Sequence, residues 1–195
     1  MVVETPTRQS SIEEYLTSEE NSEYRSEYRN GEIVPMTGGS LNHNQIIVNL
    51  IIALTIALRE QNYFVYTSDL RLWIPGYREY TYPDILIIKD AAIFQEGRTD
   101  TILNPSIIFE VLSKSTSGRD RGDKFKYYRS IPEFQEYILI DQYEINIEHF
   151  SKTGEGNWLL HESDDIEGIL TLTSVNCQIP HRQIYERVNF ENEAV

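Results

Sequence analysis

Two acidic residues stand where acids are costly. Asp84 lies in Tyr82-Pro83-Asp84-Ile85-Leu86-Ile87-Ile88, and Glu110 lies in Ile107-Ile108-Phe109-Glu110-Val111-Leu112. A charge on a buried strand is expensive unless it is paired or bound to metal. Two such carboxylates, 26 positions apart on strands that can be neighbours, point to a hard-cation site. Mg²⁺ is commonly held by one or two carboxylates together with water and phosphate oxygens. The competing reading places each acid at a strand end, facing solvent or an arginine.

Further groups lie around this pair. Residues 113–129 carry six cations (Lys114, Arg119, Arg121, Lys124, Lys126 and Arg129) against two acids, Asp120 and Asp123. Such a run suits contact with a phosphate backbone, or else a solvated helix face. His43 opens an apolar helical segment and serves there either in acid–base chemistry or as a structural hydrogen-bonder. His149, His161 and His181 show no metal-ligand spacing. The single cysteine, Cys177, excludes an internal disulfide and a cysteine zinc cluster. With 17 Lys+Arg against 31 Asp+Glu, the net charge is −14. That excludes gripping nucleic acid by bulk charge but not a nuclease, whose metal-holding carboxylates count as acids.

The elements that must position these groups read as follows. Ser11 and Glu14 have capping-box spacing and start a short helix through Leu16. Asn30-Gly31 between extended runs predicts a hairpin, because both turn residues need positive φ. Ser40 is an N-cap for a helix over 41–61. Asn42, Gln45 and Asn49 form a narrow polar stripe on that helix, which is otherwise largely apolar. A helix so apolar is buried on more than one side, against its own sheet and a second copy of the chain. Strands are expected at 63–67, 70–74, 82–89, 107–112 and 137–141, with a short charged helix over 120–129. Continuous apolar strands bounded by helices imply a sheet covered on both faces. The segments 144–150, 157–162 and 169–172 are spaced like an antiparallel meander, and 176–188 closes the fold with a loop and a short helix.

The length predicts one domain over 1–195, with a core at about 10–150 and a β extension at about 144–195. Met1-Val2-Val3-Glu4-Thr5 has neither a basic start nor an apolar core. The most apolar run, 46–58, is shorter than the roughly 20 residues of a membrane span. A cytoplasmic protein without membrane contact is expected.

The order of these motifs resembles the PD-(D/E)XK nuclease superfamily, most closely its Uma-type restriction endonucleases, formerly a domain of unknown function. The similar segments are Arg29-Asn30-Gly31-Glu32-Ile33, His43, Tyr82-Pro83-Asp84-Ile85, Phe109-Glu110-Val111-Leu112-Ser113-Lys114, Asp120-Arg121-Gly122-Asp123-Lys124-Phe125-Lys126-Tyr127-Tyr128 and Ile131-Pro132-Glu133-Phe134 through Asp141. The resemblance implies an α/β, restriction-endonuclease-like mixed sheet flanked by helices, with an antiparallel C-terminal extension. It also implies hydrolysis of DNA phosphodiesters with Mg²⁺ or Mn²⁺. It maps metal binding onto Asp84 and Glu110, adds the Val111 carbonyl as a further ligand, and sets Glu32 near the metal. One departure stands out: the superfamily lysine, two residues after the acid, is Leu112 here. Residues i and i+2 share a sheet face, so a methyl group replaces the ammonium. The resemblance supplies the lysine from the next helix as Lys124, with Lys114 as the nearer alternative and Tyr127 or Tyr128 lining the cleft. The leading expectation is a homodimeric metal-dependent DNA endonuclease. The alternatives are a catalytically inactive nuclease-like fold that binds nucleic acid or protein, and a structural oligomer.

Overall fold

A computed structural model describes residues 9–193, so the opening residues read above, Met1 to Thr5, lie outside it. The chain enters through helix α1, Ile12–Asn21, which runs past the expected end at Leu16. Its capping box is formed: Ser11 Oγ accepts from the Glu14 N–H and the Glu14 carboxylate accepts from the Ser11 N–H. Strands β1 (Ser26–Arg29) and β2 (Glu32–Pro35) make the expected hairpin, with Asn30 at φ 46° and Gly31 at φ 110°. Helix α2, Leu41–Leu58, starts at Ser40, whose Oγ accepts from the His43 N–H.

Next come β3 (Tyr63–Thr67), β4 (Arg71–Ile74), β5 (Glu79–Thr81), β6 (Ile85–Lys89), β7 (Thr101–Ile102) and β8 (Ile107–Leu112). The crossover after β8 is one turn of α3 (Ser117–Arg119), a π-helical turn over Asp120–Lys124 and one turn of α4 (Phe125–Tyr128). Strands β9 (Glu136–Asp141), β10 (Ile147–Lys152), β11 (Trp158–Ser163), β12 (Ile169–Leu172) and β13 (Cys177–Pro180) follow, then α5 (His181–Ile184). Sequence reading missed the short β5 and β7 and assigned β13 to a loop.

Two sheets form the layers. The larger has the order β11-β10-β9-β8-β6-β3 and the smaller β2-β1-β5-β4-β7. Strands β8 and β9 are parallel, as their helical crossover requires. One face of the larger sheet packs with α2, the β12–β13 hairpin and α5, through Ile85, Ile87, Phe109, Leu50, Leu54 and Leu170. The other packs on the smaller sheet and α4, through Leu86, Ile88, Ile108, Leu112, Leu72 and Tyr128. The sheet is thus covered on both faces, as its continuous apolar strands require. The C-terminal strands do not make one meander. Strands β10 and β11 extend the larger sheet, whereas β12 and β13 pair separately.

Helix α2 uses its polar stripe internally. Asn42 Nδ2 donates to the Asn189 carbonyl (2.9 Å), and Asn49 Nδ2 donates to the carbonyls of Ile184 (2.9 Å) and Glu186 (2.8 Å). The stripe grips the C-terminal segment. The exposed line is largely apolar, with Asn44 and Thr55 as its polar members: Leu41 is 88% exposed, Ile56 61%, and Val48 and Ile52 about half. By length and composition alone α2 could cross a membrane, yet Ile46, Leu50, Ala53, Leu54 and Leu58 lie in the core.

Candidate functional site

Strand register brings the two acids together. Ile85 pairs with Phe109 across β6 and β8. One step further along that antiparallel register sets Asp84, just ahead of β6, opposite Glu110. Cross-strand partners share a face, here the face that meets the smaller sheet and α4.

Asp84 is held from two sides. Its Oδ2 accepts from the Val111 backbone N–H at 2.8 Å and lies 3.3 Å from His43 Nε2. The Gly39 Cα lets the His43 ring pack close: a Cβ there would meet Nδ1 at 2.6 Å. Gln142 ties the start of α2 to the end of β8. Its Nε2 donates to the Leu112 carbonyl at 2.6 Å, and Ser40 Oγ donates to its Oε1.

Glu110 is deeper. Its Oε1 accepts from Lys124 Nζ at 3.0 Å and from Tyr128 Oη at 2.8 Å. The π-helical turn carries Lys124 to this point, as such insertions often do at functional sites. Lys124 Nζ also lies 3.1 Å from Asp120 Oδ1 and 3.8 Å from Glu27 Oε1. One ammonium therefore serves three buried carboxylates. Burial drives the Glu110 carboxyl up to about 8, with Asp120 and Asp84 adding to the rise against the pull of Lys124. Burial opposes the charge on Lys124, yet Glu110, Asp120 and Glu27 together hold its pKa well above the ordinary lysine value. For Glu27, Lys124 and the hydrogen bonds from Thr81 and Arg29 overcome burial and bring it down to about 2.

The structure sorts the remaining sequence candidates. Leu112 is buried in the core, so no cation stands at the usual lysine position. Lys114 lies exposed beyond β8, its ammonium 5.3 Å from the Tyr143 ring centre, whereas Lys124 touches Glu110. Tyr128, rather than Tyr127, reaches Glu110; Tyr127 stacks on Tyr77 at 4.1 Å. Glu32 is exposed at the start of β2, opposite Arg29, and the hairpin carboxylate near Lys124 is Glu27. The Val111 group that meets Asp84 is its N–H.

Sequence reading missed Glu27 and Gln142. Glu27 alternates with the apolar Tyr28 like any surface acid, and Gln142 is one polar residue after a buried strand. The cations of 113–129, read as a phosphate contact or a solvated helix face, are only partly free for either. Three are paired with carboxylates: Arg119 with Glu79 and Lys124 with Glu110 in the interior, and the exposed Arg121 with Glu148 at 2.6 Å.

The donor set fits a small hard cation. Among the described residues no group of three or more His, Cys, Asp or Glu side chains is arranged to hold an ion. Two facing carboxylates nevertheless suffice for Mg²⁺, which keeps several waters and takes substrate oxygens. The raised pKa of Glu110 fits as well, since a buried carboxylate ionises readily only beside sufficient positive charge.

Residues 12–179 match the family Uma2, described as "Putative restriction endonuclease". The chain is 41% identical over 162 residues to the uncharacterized protein sll1609 of Synechocystis sp., covering 83% of this chain and 92% of that one. It is 36% identical over 150 residues to slr1290 of the same organism, covering 77% and 78%. In fold it is similar to a crystal structure from Anabaena variabilis, described as a "putative nuclease belonging to DUF820". The TM-score is 0.74 at 16% identity, covering 92% of this chain and 99% of that one.

Proposed function

Because this chain belongs to the Uma2 family of restriction-endonuclease-like proteins, we propose that it is a divalent-metal-dependent DNA endonuclease. The observation that carries this reading is the facing pair Asp84 and Glu110 with Lys124 Nζ 3.0 Å from the latter. Asp84 and Glu110 would hold the cation, Mg²⁺ or Mn²⁺. When bound, it would lower the pKa of a water and offset charge on phosphoryl oxygens.

The protein's own groups do the rest. Val111 N–H and His43 fix the Asp84 carboxylate, and Tyr128 fixes Glu110. Lys124 brings three donors on a long stem and serves as the positive charge that Leu112 cannot supply. A preorganised donor of this kind stabilises the negative charge developing on the phosphoryl oxygens and orients the attacking water. Asp84 and His43 are partly exposed while Glu110 and Lys124 are buried, so substrate approaches from the Asp84 side.

A second copy of the chain packs on the exposed apolar line of α2. Leu41, Val48, Ile52 and Ile56 recur along one helix face, and α2 carries no charged residue that would repel a like-charged copy. A two-fold pairing there is self-complementary.

Binding without cleavage remains the second reading, favoured by the ties of Lys124 to three carboxylates. Plasmid nicking with Mg²⁺ or Mn²⁺ separates the two. Cleavage that chelator abolishes, and that Asp84→Asn and Glu110→Gln both lack, supports the nuclease. A parent chain that binds Mn²⁺ and DNA yet leaves plasmid intact supports the binding module.

A further inference from the structure

The nuclease reading leaves the form of its substrate open, and the cations that stay exposed near the site bear on that question. Arg119 and Lys124 are paired internally and the exposed Arg121 is paired with Glu148, so residues 113–129 keep Lys114, Lys126 and Arg129 exposed and outside any ion pair among the described residues. Each of the three sits over an aromatic ring. Lys114 Nζ is 5.3 Å from the Tyr143 ring centre, Lys126 Nζ is 5.7 Å from Tyr77, and Arg129 Cζ is 4.6 Å from Phe125.

Two of these pairs lie near the carboxylates along the chain. Lys114 and Tyr143 each lie two residues beyond the parallel ends of β8 and β9, the end where Asp84 and Glu110 sit. Tyr127 immediately precedes Tyr128, the donor to Glu110. The half-buried Tyr127 stacks on Tyr77, with planes 27° apart, and on no other ring among the described residues.

Duplex binding draws most of its free energy from phosphates neutralised by cations, and a chain of net charge −14 with three exposed cations outside ion pairs here has little to offer it. Base stacking on aromatic rings needs no net charge, and every unpaired base presents a face for it. In a duplex those faces are already stacked.

We propose that the site takes single-stranded DNA, with Tyr127 on its Tyr77 support as a base-stacking platform and Lys126 as a phosphate contact beside it. This rests on the nuclease reading for its purpose, but binding tests it separately.

The experiment is fluorescence anisotropy of a labelled mixed-sequence oligodeoxynucleotide, alone and annealed to its complement, in EDTA so that nothing is cut. The parent should bind the single strand at least roughly tenfold more tightly than the duplex. Tyr127→Ala should weaken single-strand binding roughly tenfold, the scale of one lost base–ring stack. Tyr127→Phe should keep it, and circular dichroism should show both variants folded. Duplex binding as tight as single-strand binding, or full affinity in Tyr127→Ala, overturns the inference and leaves Tyr127 as packing for α4. In that case metal-dependent plasmid nicking can still uphold the nuclease. If neither DNA form binds and plasmid stays intact, both readings fall.

Discussion

Replacing Lys124 by methionine tests whether one ammonium holds the site together. The substitution keeps the length of the stem and removes the charge. It leaves Glu110, Asp120 and Glu27 facing one another, all three buried, where Nζ had stood 3.0, 3.1 and 3.8 Å away. A unit-charge pair at 3 Å interacts by about 5 kcal/mol at an effective dielectric of 20, and the desolvation of the ammonium, now avoided, offsets part of that. Removing one partner of a buried pair typically costs about 3–5 kcal/mol. We expect that loss at pH 8 in urea denaturation with EDTA present, against a typical domain stability of about 5–15 kcal/mol.

The sign of its pH dependence follows from the three acids. Without Lys124 the folded pKa of Glu110 rises further above the unfolded one, and Glu27 loses the partner that does most to hold its pKa down, so ionising these acids opposes folding increasingly as pH rises. The deficit should therefore shrink on going from pH 8 to pH 5, as the acids take up protons. Adding Glu110→Gln to Lys124→Met should recover part of the loss, because one of the uncompensated charges is gone. A loss under about 1 kcal/mol, far below the cost of breaking a buried pair, would refute the reasoning, as would a deficit equal at the two pH values.

Further outcomes follow from the same geometry. Calorimetric titration with Mn²⁺ should show binding in the parent and none in Asp84→Ala or Glu110→Ala; undiminished binding in both variants would remove the proposed cation site. Gly39→Ala should push the His43 ring off Asp84, since its Cβ would meet Nδ1 at 2.6 Å. Nicking should then fall as far as it does in His43→Ala, while the melting temperature barely moves. Glu136 accepts from the N–H groups of Thr173 (2.9 Å) and Ser174 (2.7 Å) and pairs with His149 at 2.6 Å. Burial opposes its charge, but these partners hold its pKa below the ordinary value. Its contribution is therefore present above the unfolded pKa of about 4.3 and is lost as pH falls through the folded one. Glu136→Gln should cost about 1.5–3 kcal/mol at pH 7, the range for hydrogen bonds to a charged group, and the gap to the parent should close in acid. Ile52→Glu should turn a dimer into a monomer in sedimentation velocity; a parent chain that is already monomeric at micromolar concentration would count against the α2 interface.

Much of the scaffold is written locally in the chain. The Ser11–Glu14 capping box, the Asn30-Gly31 turn and the Ser40 cap each need only residues within a few positions of one another. The same holds for the apolar strands β6, β8 and β9 and for the two acids set against them, because burying an acid in such a run is costly whatever the rest of the fold does. Lys124 and Tyr128 could also be paired in advance, since four residues along a helix brings side chains to one face.

What periodicity cannot say is which face meets what. Asn42, Gln45 and Asn49 read as a stripe, but two of them are satisfied by carbonyls at 184, 186 and 189, more than 130 residues away. The polar stripe therefore turned inward together with Ile46, Leu50 and Leu54, and the rest of the apolar circumference was left outward. The hairpin offered Glu27 and Glu32 on one sheet face, and only the packing of β1 under the crossover selected Glu27 for Lys124. Arg119 and Arg121 looked like a phosphate surface until Glu79 and Glu148 arrived from distant strands to neutralise them. Local sequence sets the direction in which a side chain leaves the backbone. Whether it meets water, an opposite charge or a core depends on segments brought near only when the sheets close, and that contact decides the energy.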